Sequence, residues 1–126
     1  MGDFHRYSKE KGNRGEQAVC DFLRKNGYEI LERNFTIRGG EIDIIARKNG
    51  VISFVEVKTR KAGSLTSGEE AITKSKKQCI IKTAERYLNS LGQSVSCRFD
   101  VAVVELNGER VTHLKYYVSA FDASKS

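Results

Sequence analysis

The sequence predicts an α/β fold: one mixed sheet flanked by helices. Three observations carry the prediction. Apolar residues recur at helical spacing in two separate segments. Stretches rich in β-branched and aromatic residues lie between and after them, two of them broken by Asn-Gly pairs that read as hairpin turns. The order is α-β-β-β-α-β-β, and the long helix in the middle is the kind of crossover that a parallel strand pair requires.

The first helix is read from about Ser8 to Asn26, where Ala18, Val19, Phe22 and Leu23 share a face and Gly27 follows as the terminating residue. Tyr28 to Phe35 reads as a strand and Arg38-Gly39-Gly40 as a turn. Glu41–Lys48 and Val51–Lys58 form a hairpin about Asn49-Gly50. Thr59 to Gly68 reads as a loop, and Ser67 with Glu70 makes a capping box for a helix that continues to about Leu91. Its expected buried stripe is Ile72, Cys79, Ile80, Thr83, Tyr87 and Leu91. Cys97–Leu106 and Arg110–Val118 are strands about an Asn107-Gly108 turn, and 119–126 is expected to fray unless Phe121 docks.

The 126 residues suit a single domain, 1–126. A chain of this size buries roughly two thirds of the surface it exposes unfolded, so it needs no disulfide or metal to fold. An apolar fraction of 39% with 30% charged residues excludes a disordered chain and a membrane protein. The longest aliphatic run, Val101 to Val104, is far short of the ~20 residues of a spanning helix. Met1 to Glu10 is polar and is not read as a secretory signal. Cys20, Cys79 and Cys97 are scattered, which indicates neither a zinc site nor a disulfide framework and fits a reducing cytoplasm. A net charge of +6 points to a polyanion partner, nucleic acid first, with a solubilising surface as the plain alternative.

The hairpin concentrates the chemistry. A two-residue Asn49-Gly50 loop pairs Lys48 with Val51, and extending that register sets Asp43 opposite Glu56 and Glu41 opposite Lys58. Alternation then puts Glu41, Asp43, Ile45, Arg47, Ile52, Phe54, Glu56 and Lys58 on one face. Ile42, Ile44, Ala46, Val51, Val55 and Val57 take the other, so the hairpin is central and covered on both sides. Opposed carboxylates destabilise a sheet. Lys58 and Arg47 could neutralise them as salt bridges. So could a divalent cation, since Mg²⁺ is bound by carboxylate oxygens and retained waters.

Gly40-Glu41-Ile42-Asp43 followed by Phe54-Val55-Glu56-Val57-Lys58-Thr59-Arg60 resembles the PD-(D/E)xK motif of the restriction-endonuclease-like nuclease superfamily. With Gly15-Glu16, Gly27-Tyr28, Arg33-Asn34 and Arg98-Phe99-Asp100-Val101, the stretch from about Gly12 to Leu106 resembles the YraN family of small bacterial proteins. The resemblance implies an α-β-β-β-α-β restriction-endonuclease-like core. It also implies Mg²⁺ or Mn²⁺ held by Asp43, Glu56 and the main-chain carbonyl of Val57, with Lys58 as catalytic lysine. Glu16 matches the extra acidic residue of the archaeal Holliday-junction resolvases in the superfamily. Ile42 stands where the motif has proline, a position that varies widely.

Arg60 and Lys61 follow the motif, Lys74, Lys76 and Lys77 crowd the second helix, and Arg14 precedes Glu16. Arg14, Arg60, Lys61, Lys74 and Lys77 are the candidate contacts to a phosphate backbone, and such contacts make binding salt-dependent. No interleaved aromatic run suggests base stacking. The functional expectation is a metal-dependent nuclease on DNA rather than RNA, structure-selective or nonspecific rather than sequence-reading. The alternatives are a catalytically inactive nucleic-acid-binding protein of the same fold, and an interaction protein whose acidic cluster is only a salt-bridge network. Cutting a junction symmetrically would want a homodimer, for which the sequence shows no face. Asp100 is read as a strand-edge residue with a local partner, His113 as a surface residue and the cysteines as core.

Overall fold

The computed structural model describes residues 2–63 and 72–122, with side chains from residue 13 onward. Helix α1 (Gly2–Lys25) leads into strands β1 (Glu29–Ile37), β2 (Gly40–Lys48) and β3 (Val51–Lys61). Helix α2 (Lys74–Ser90) then connects to β4 (Ser96–Asn107) and β5 (Arg110–Phe121). The strands form one sheet in sequential order, β1 to β5. β3 and β4 run parallel, joined across α2, and the other three pairs are antiparallel. This is the α-β-β-β-α-β core expected, with β5 added outside β4.

The ends of the elements follow local chemistry. α1 closes in a Schellman motif: Tyr28 N–H donates to Leu23 O at 3.0 Å and Gly27 N–H to Arg24 O at 3.1 Å, with Gly27 at φ +87°. α2 starts later than the sequence suggests. Its cap is Thr73, whose side chain accepts from Lys76 N–H, so Ile72 is buried ahead of the helix rather than within it. Ser67 and Glu70, read as the capping box, lie outside the described residues.

Asn49 and Gly50 both have positive φ, as a type I′ hairpin requires. The second hairpin turns one residue later than read. Asn107 pairs with Arg110, so the loop is Gly108–Glu109 with positive φ at Gly108 alone, the type II′ pattern. β5 also outlasts its expected end. Phe121 pairs with Phe99 and stacks on it at 5.1 Å, so burial of that ring keeps 119–121 in the sheet. Residues 123–126 lie outside the described set.

The sheet is covered on both sides. Val19, Cys20 and Leu23 of α1 pack with Ile44, Ala46, Val55, Ala102, Val104 and Leu106. Ile80 and Ala84 of α2 pack with Ile42, Ile45, Ile52, Phe54 and Phe99. Cys79 and Leu91, expected in the α2 stripe, are exposed, because Ile80, Thr83 and Ala84 carry the buried face instead. Only Cys20 of the three thiols is fully buried.

Alternation fails once on β2, and the failure matters. Ile42 belongs to the α2-side cluster although Ile44 belongs to the α1 side. β1 shows the cause. The ladder steps from Arg33↔Ile44 to Phe35↔Ile42, and between them Asn34 adopts the left-handed conformation at φ +52°. That twist reverses the faces on either side of Asp43, the β2 residue opposite the kink.

Candidate active site

β2 and β3 part at this level. Their pairing runs from Lys48↔Val51 only to Ile44↔Val55, and beyond it β3 is paired with β4 alone. The pairs Asp43–Glu56 and Glu41–Lys58 read from the turn therefore lie just past the last ladder rung, where the strands fork. The Asp43 carboxylate bridges the fork: Oδ2 accepts from Val57 N–H at 2.8 Å.

Glu56 faces Asp43 from the other prong and is only 5% exposed. Burial first, then a hydrogen bond with Asp43 and its charge, push the Glu56 carboxyl up to about 8, against the opposing pull of Lys76 and Lys58. Burial and the facing Asp43 carboxylate thus favour the protonated form of Glu56.

Glu16 brings a third carboxylate from α1. Its pKa is raised by burial and by Asp43, while Asn34 and Arg33 act to lower it. One oxygen, Oε1, is buried with no hydrogen-bond partner among the described residues, and Arg33 stands 3.9 Å from it. Gly15, the preceding residue, lets α1 come this close to β3, because any Cβ there would collide with the Thr59 hydroxyl. Gly40 does the same for α2: a Cβ would strike Thr83 and lie 3.3 Å from the Cys79 carbonyl. The two glycines of the Gly-Glu strings are thus the points where both helices press on the forked end of the sheet.

The carboxylates form a row, Glu16, Asp43, Glu56, and among the described residues the cations paired with it stand at its ends. Lys58 Nζ is 3.8 Å and Lys76 Nζ 3.6 Å from Glu56 Oε2. These distances, like that to Arg33, are ion pairs too long for a hydrogen bond. Arg47, a candidate for the cluster, instead pairs with Glu29 at 2.7 Å.

The structure places Glu16, Asp43, Glu56, Val57 and Lys58 around the fork. It adds Lys76, which sequence reading had placed in a basic run but not at the site. The signal was the lysine spacing on α2, but which lysine reaches Glu56 depends on Thr73 starting the helix. The candidate phosphate contacts are more dispersed. Arg14 pairs with Glu109 at 2.9 Å, and Lys77 Nζ lies over the Phe121 ring at 5.7 Å, away from the carboxylates. Lys61 and Lys74 are exposed and Arg60 is half-buried.

The oxygen donors brought to the fork are the Glu16, Asp43 and Glu56 carboxyls and the Val57 main chain. Among the described residues no group of three or more His, Cys, Asp or Glu side chains is placed to hold a metal ion. Mg²⁺ does not need such a group, since it keeps several waters and takes one or two carboxylates. Glu16 Oε1, which has no hydrogen-bond partner among the described residues, and the Asp43 and Glu56 carboxyls are the oxygens such an ion would use.

Asp100 has a different setting from the strand edge expected. It is fully buried in β4. Arg98 Nε donates to both its oxygens at 3.0 and 3.1 Å, Tyr116 OH to Oδ2 at 2.6 Å and Ser119 N–H to Oδ1 at 2.9 Å. Arg98 also donates to Tyr28 OH. His113 is exposed, as read, with Nδ1 3.1 Å from Glu105.

Fold and site together define a restriction-endonuclease-like α/β protein. A family model described as "Uncharacterised protein family UPF0102" matches residues 15–104. A UPF0102 protein of Symbiobacterium thermophilum is 41% identical over 92% of this chain and 99% of its own length. One from Chlorobium phaeobacteroides is 40% identical over 89% and 93%, and one from Clostridium perfringens 45% identical over 81% and 83%. The chain belongs to the UPF0102 family, the YraN family whose motifs its sequence shares.

Proposed function

We propose that the chain is a Mg²⁺- or Mn²⁺-dependent nuclease that hydrolyses phosphodiester bonds in DNA, selecting structure rather than sequence. The observation that carries this reading is the Glu16–Asp43–Glu56 row at the fork of β2 and β3, with Glu56 buried and no hydrogen-bonding cation among the described residues. Clustering like charges in this way costs stability and is unexplained by packing.

Asp43, Glu56 and the Val57 carbonyl would hold the ion, which when bound supplies an acidified water and positive charge at the phosphate. Asp43 is pre-positioned by Val57 N–H, which fixes its rotamer across the fork. Lys58 stands two residues from Glu56 with its side chain 28% exposed, able to reach both the carboxylates and an incoming phosphate. There its ammonium orients the attacking water or counters phosphate charge. Glu16 sets the far end of the row. The basic side chains of Arg60, Lys61 and Lys74 extend the positive surface for a nucleic-acid backbone. Among the described residues no helix is long and apolar enough to cross a membrane.

The test is thermal melting with and without Mg²⁺ or Mn²⁺, followed by incubation with linear, flapped and branched DNA and with RNA. The expected result is a metal-dependent rise in Tm that Asp43→Ala and Glu56→Ala abolish, and DNA cleavage that Lys58→Ala abolishes while keeping the rise. A metal response and DNA binding without products would establish the inactive binder instead. Neither response nor products would leave the carboxylate row as a salt-bridge network.

A further inference from the structure

Beside the carboxylate row, a shallow groove of about 420 Å³ runs between the β1–β2 turn and the first turns of α2. Thr36, Gly39 and Gly40 line one wall, Lys76 and Cys79 the other, and Glu41 also lines it. Lys76 is the single cation among these lining residues. It links groove and site, because its Nζ also lies 3.6 Å from Glu56 Oε2. Its side chain is 44% exposed against 28% for Lys58, and it sits on a helix turn whose backbone Thr73 fixes at 3.1 Å.

Those facts distinguish the two lysines. Lys58 springs from the same strand as Glu56 and is the more enclosed. Lys76 reaches Glu56 across the site from a long stem with open space beside it. Any cation that takes the Glu56 charge repels both ammonium groups, and only Lys76 has the groove to turn into. No aromatic ring lines the groove, so it offers nothing for base stacking. Gly39, with open space where a Cβ would stand, leaves one wall low enough for a backbone to approach closely.

We propose that this groove seats the nucleic-acid backbone next to the scissile phosphate, and that Lys76 grips the phosphate flanking it. The assignment rests on the nuclease reading and deepens it. Glu41 repels phosphate, so the gripped group lies at the Lys76 side of the groove. Lys76 is then a substrate-binding residue that also screens Glu56 before substrate arrives.

The experiment uses the full chain with a branched DNA and Ca²⁺ in place of Mg²⁺, so that binding is read without requiring turnover. Affinity is measured against salt for wild type, Lys76→Ala, Lys76→Arg and Glu41→Gln. Removing a single phosphate-neutralising charge with Lys76→Ala should reduce the slope of log K against log salt by about 0.9. Lys76→Arg should restore it, and Glu41→Gln should tighten binding a few-fold. In wild type, bound DNA should slow alkylation of the exposed Cys79, followed by peptide mass, at least several-fold. DNA that binds wild type while leaving both Cys79 alkylation and the Lys76→Ala slope unchanged overturns the groove assignment and leaves the nuclease reading standing. Failure of wild type to bind any DNA overturns both. The Cys79 measurement needs no variant, so it decides the question even if Lys76→Ala does not fold.

Discussion

Asp100 and Glu56 are buried carboxylates in one sheet, and they are handled in opposite ways. Asp100 receives hydrogen bonds from Arg98, Tyr116 and the Ser119 backbone, all between 2.6 and 3.1 Å. Asp43 and Glu56 face each other, and the nearest ammonium groups to Glu56 stop at 3.6 and 3.8 Å. The first arrangement satisfies a buried charge and so fastens the end of β5 to β4, including the bulge at Ser119 with its positive φ. The second leaves charge under-compensated at a fork where the ladder has been opened. The buried carboxylate that ties strands together gathers donors, whereas the pair at the fork leaves most of its oxygens without them among the described residues. Burial alone does not separate the two cases, and the number of donors does.

The comparison breaks most sharply by deletion. Asp100→Ala should cost about 3 kcal/mol in urea unfolding, because it removes the shared acceptor of the half-buried Arg98 guanidinium, the Tyr116 hydroxyl and the Ser119 N–H. A cost below about 1 kcal/mol would show that the hub is not structural.

Glu56→Gln should do the reverse and stabilise the metal-free protein by about 1–2 kcal/mol at pH 7, since the folded carboxyl titrates near 8 instead of its ordinary value. Destabilisation by the same substitution would mean that Lys58 and Lys76 already compensate the site. Asp43→Ala is not the mirror image. It relieves the same repulsion but forfeits the Val57 N–H bond, so the two effects offset.

The same linkage fixes a pH dependence. A carboxyl whose folded pKa is raised binds its proton more tightly in the native state. Its contribution is fully present below the unfolded value of 4.5 and is lost as pH rises through about 8. Metal-free stability should therefore fall across that window, with a slope contribution of at most about 1.4 kcal/mol per pH unit. Melts of wild type and Glu56→Gln across pH 5–8 (about the span of that window) should differ in this slope. Parallel curves would contradict the placement of the proton.

Lys58→Ala should change stability by less than about 1 kcal/mol, because the pair is partly exposed, is too long for a hydrogen bond and leaves Lys76 in place. Cleavage should nevertheless disappear. A large drop in stability would return Lys58 to a structural role. The smallest effect is expected at Glu16→Gln, a gain of a few tenths of a kcal/mol from reduced repulsion with Asp43. Its more telling readout is weaker Mn²⁺ binding in the melt.

Much of this architecture is written locally. The Asn49-Gly50 turn fixes the β2–β3 register for every rung it controls, and Gly27 ends α1 through its own positive φ. Strings such as Gly-Glu-Ile-Asp and Glu-Val-Lys mark Asp43, Glu56 and Lys58 because their spacing places chemistry at one strand end. The Asn49-Gly50 turn type and the register beside it depend on neighbours within a few residues, so the sequence alone determines them.

What escaped local reading depends on distant partners. The α2 start rests on the Thr73 cap, not on the residues read as a capping box. The reversal of faces at Ile42 follows from Asn34 on another strand, and the fork from β3 exchanging β2 for β4. Asp100 is read as an edge residue until Arg98, Tyr116 and Ser119 converge on it. Lys76 is one lysine in a basic run until α2 lies across the sheet end and brings it to Glu56. Tertiary structure decided these points because burial and charge compensation are sums over everything within a few ångströms, and that neighbourhood is set by packing rather than by order along the chain.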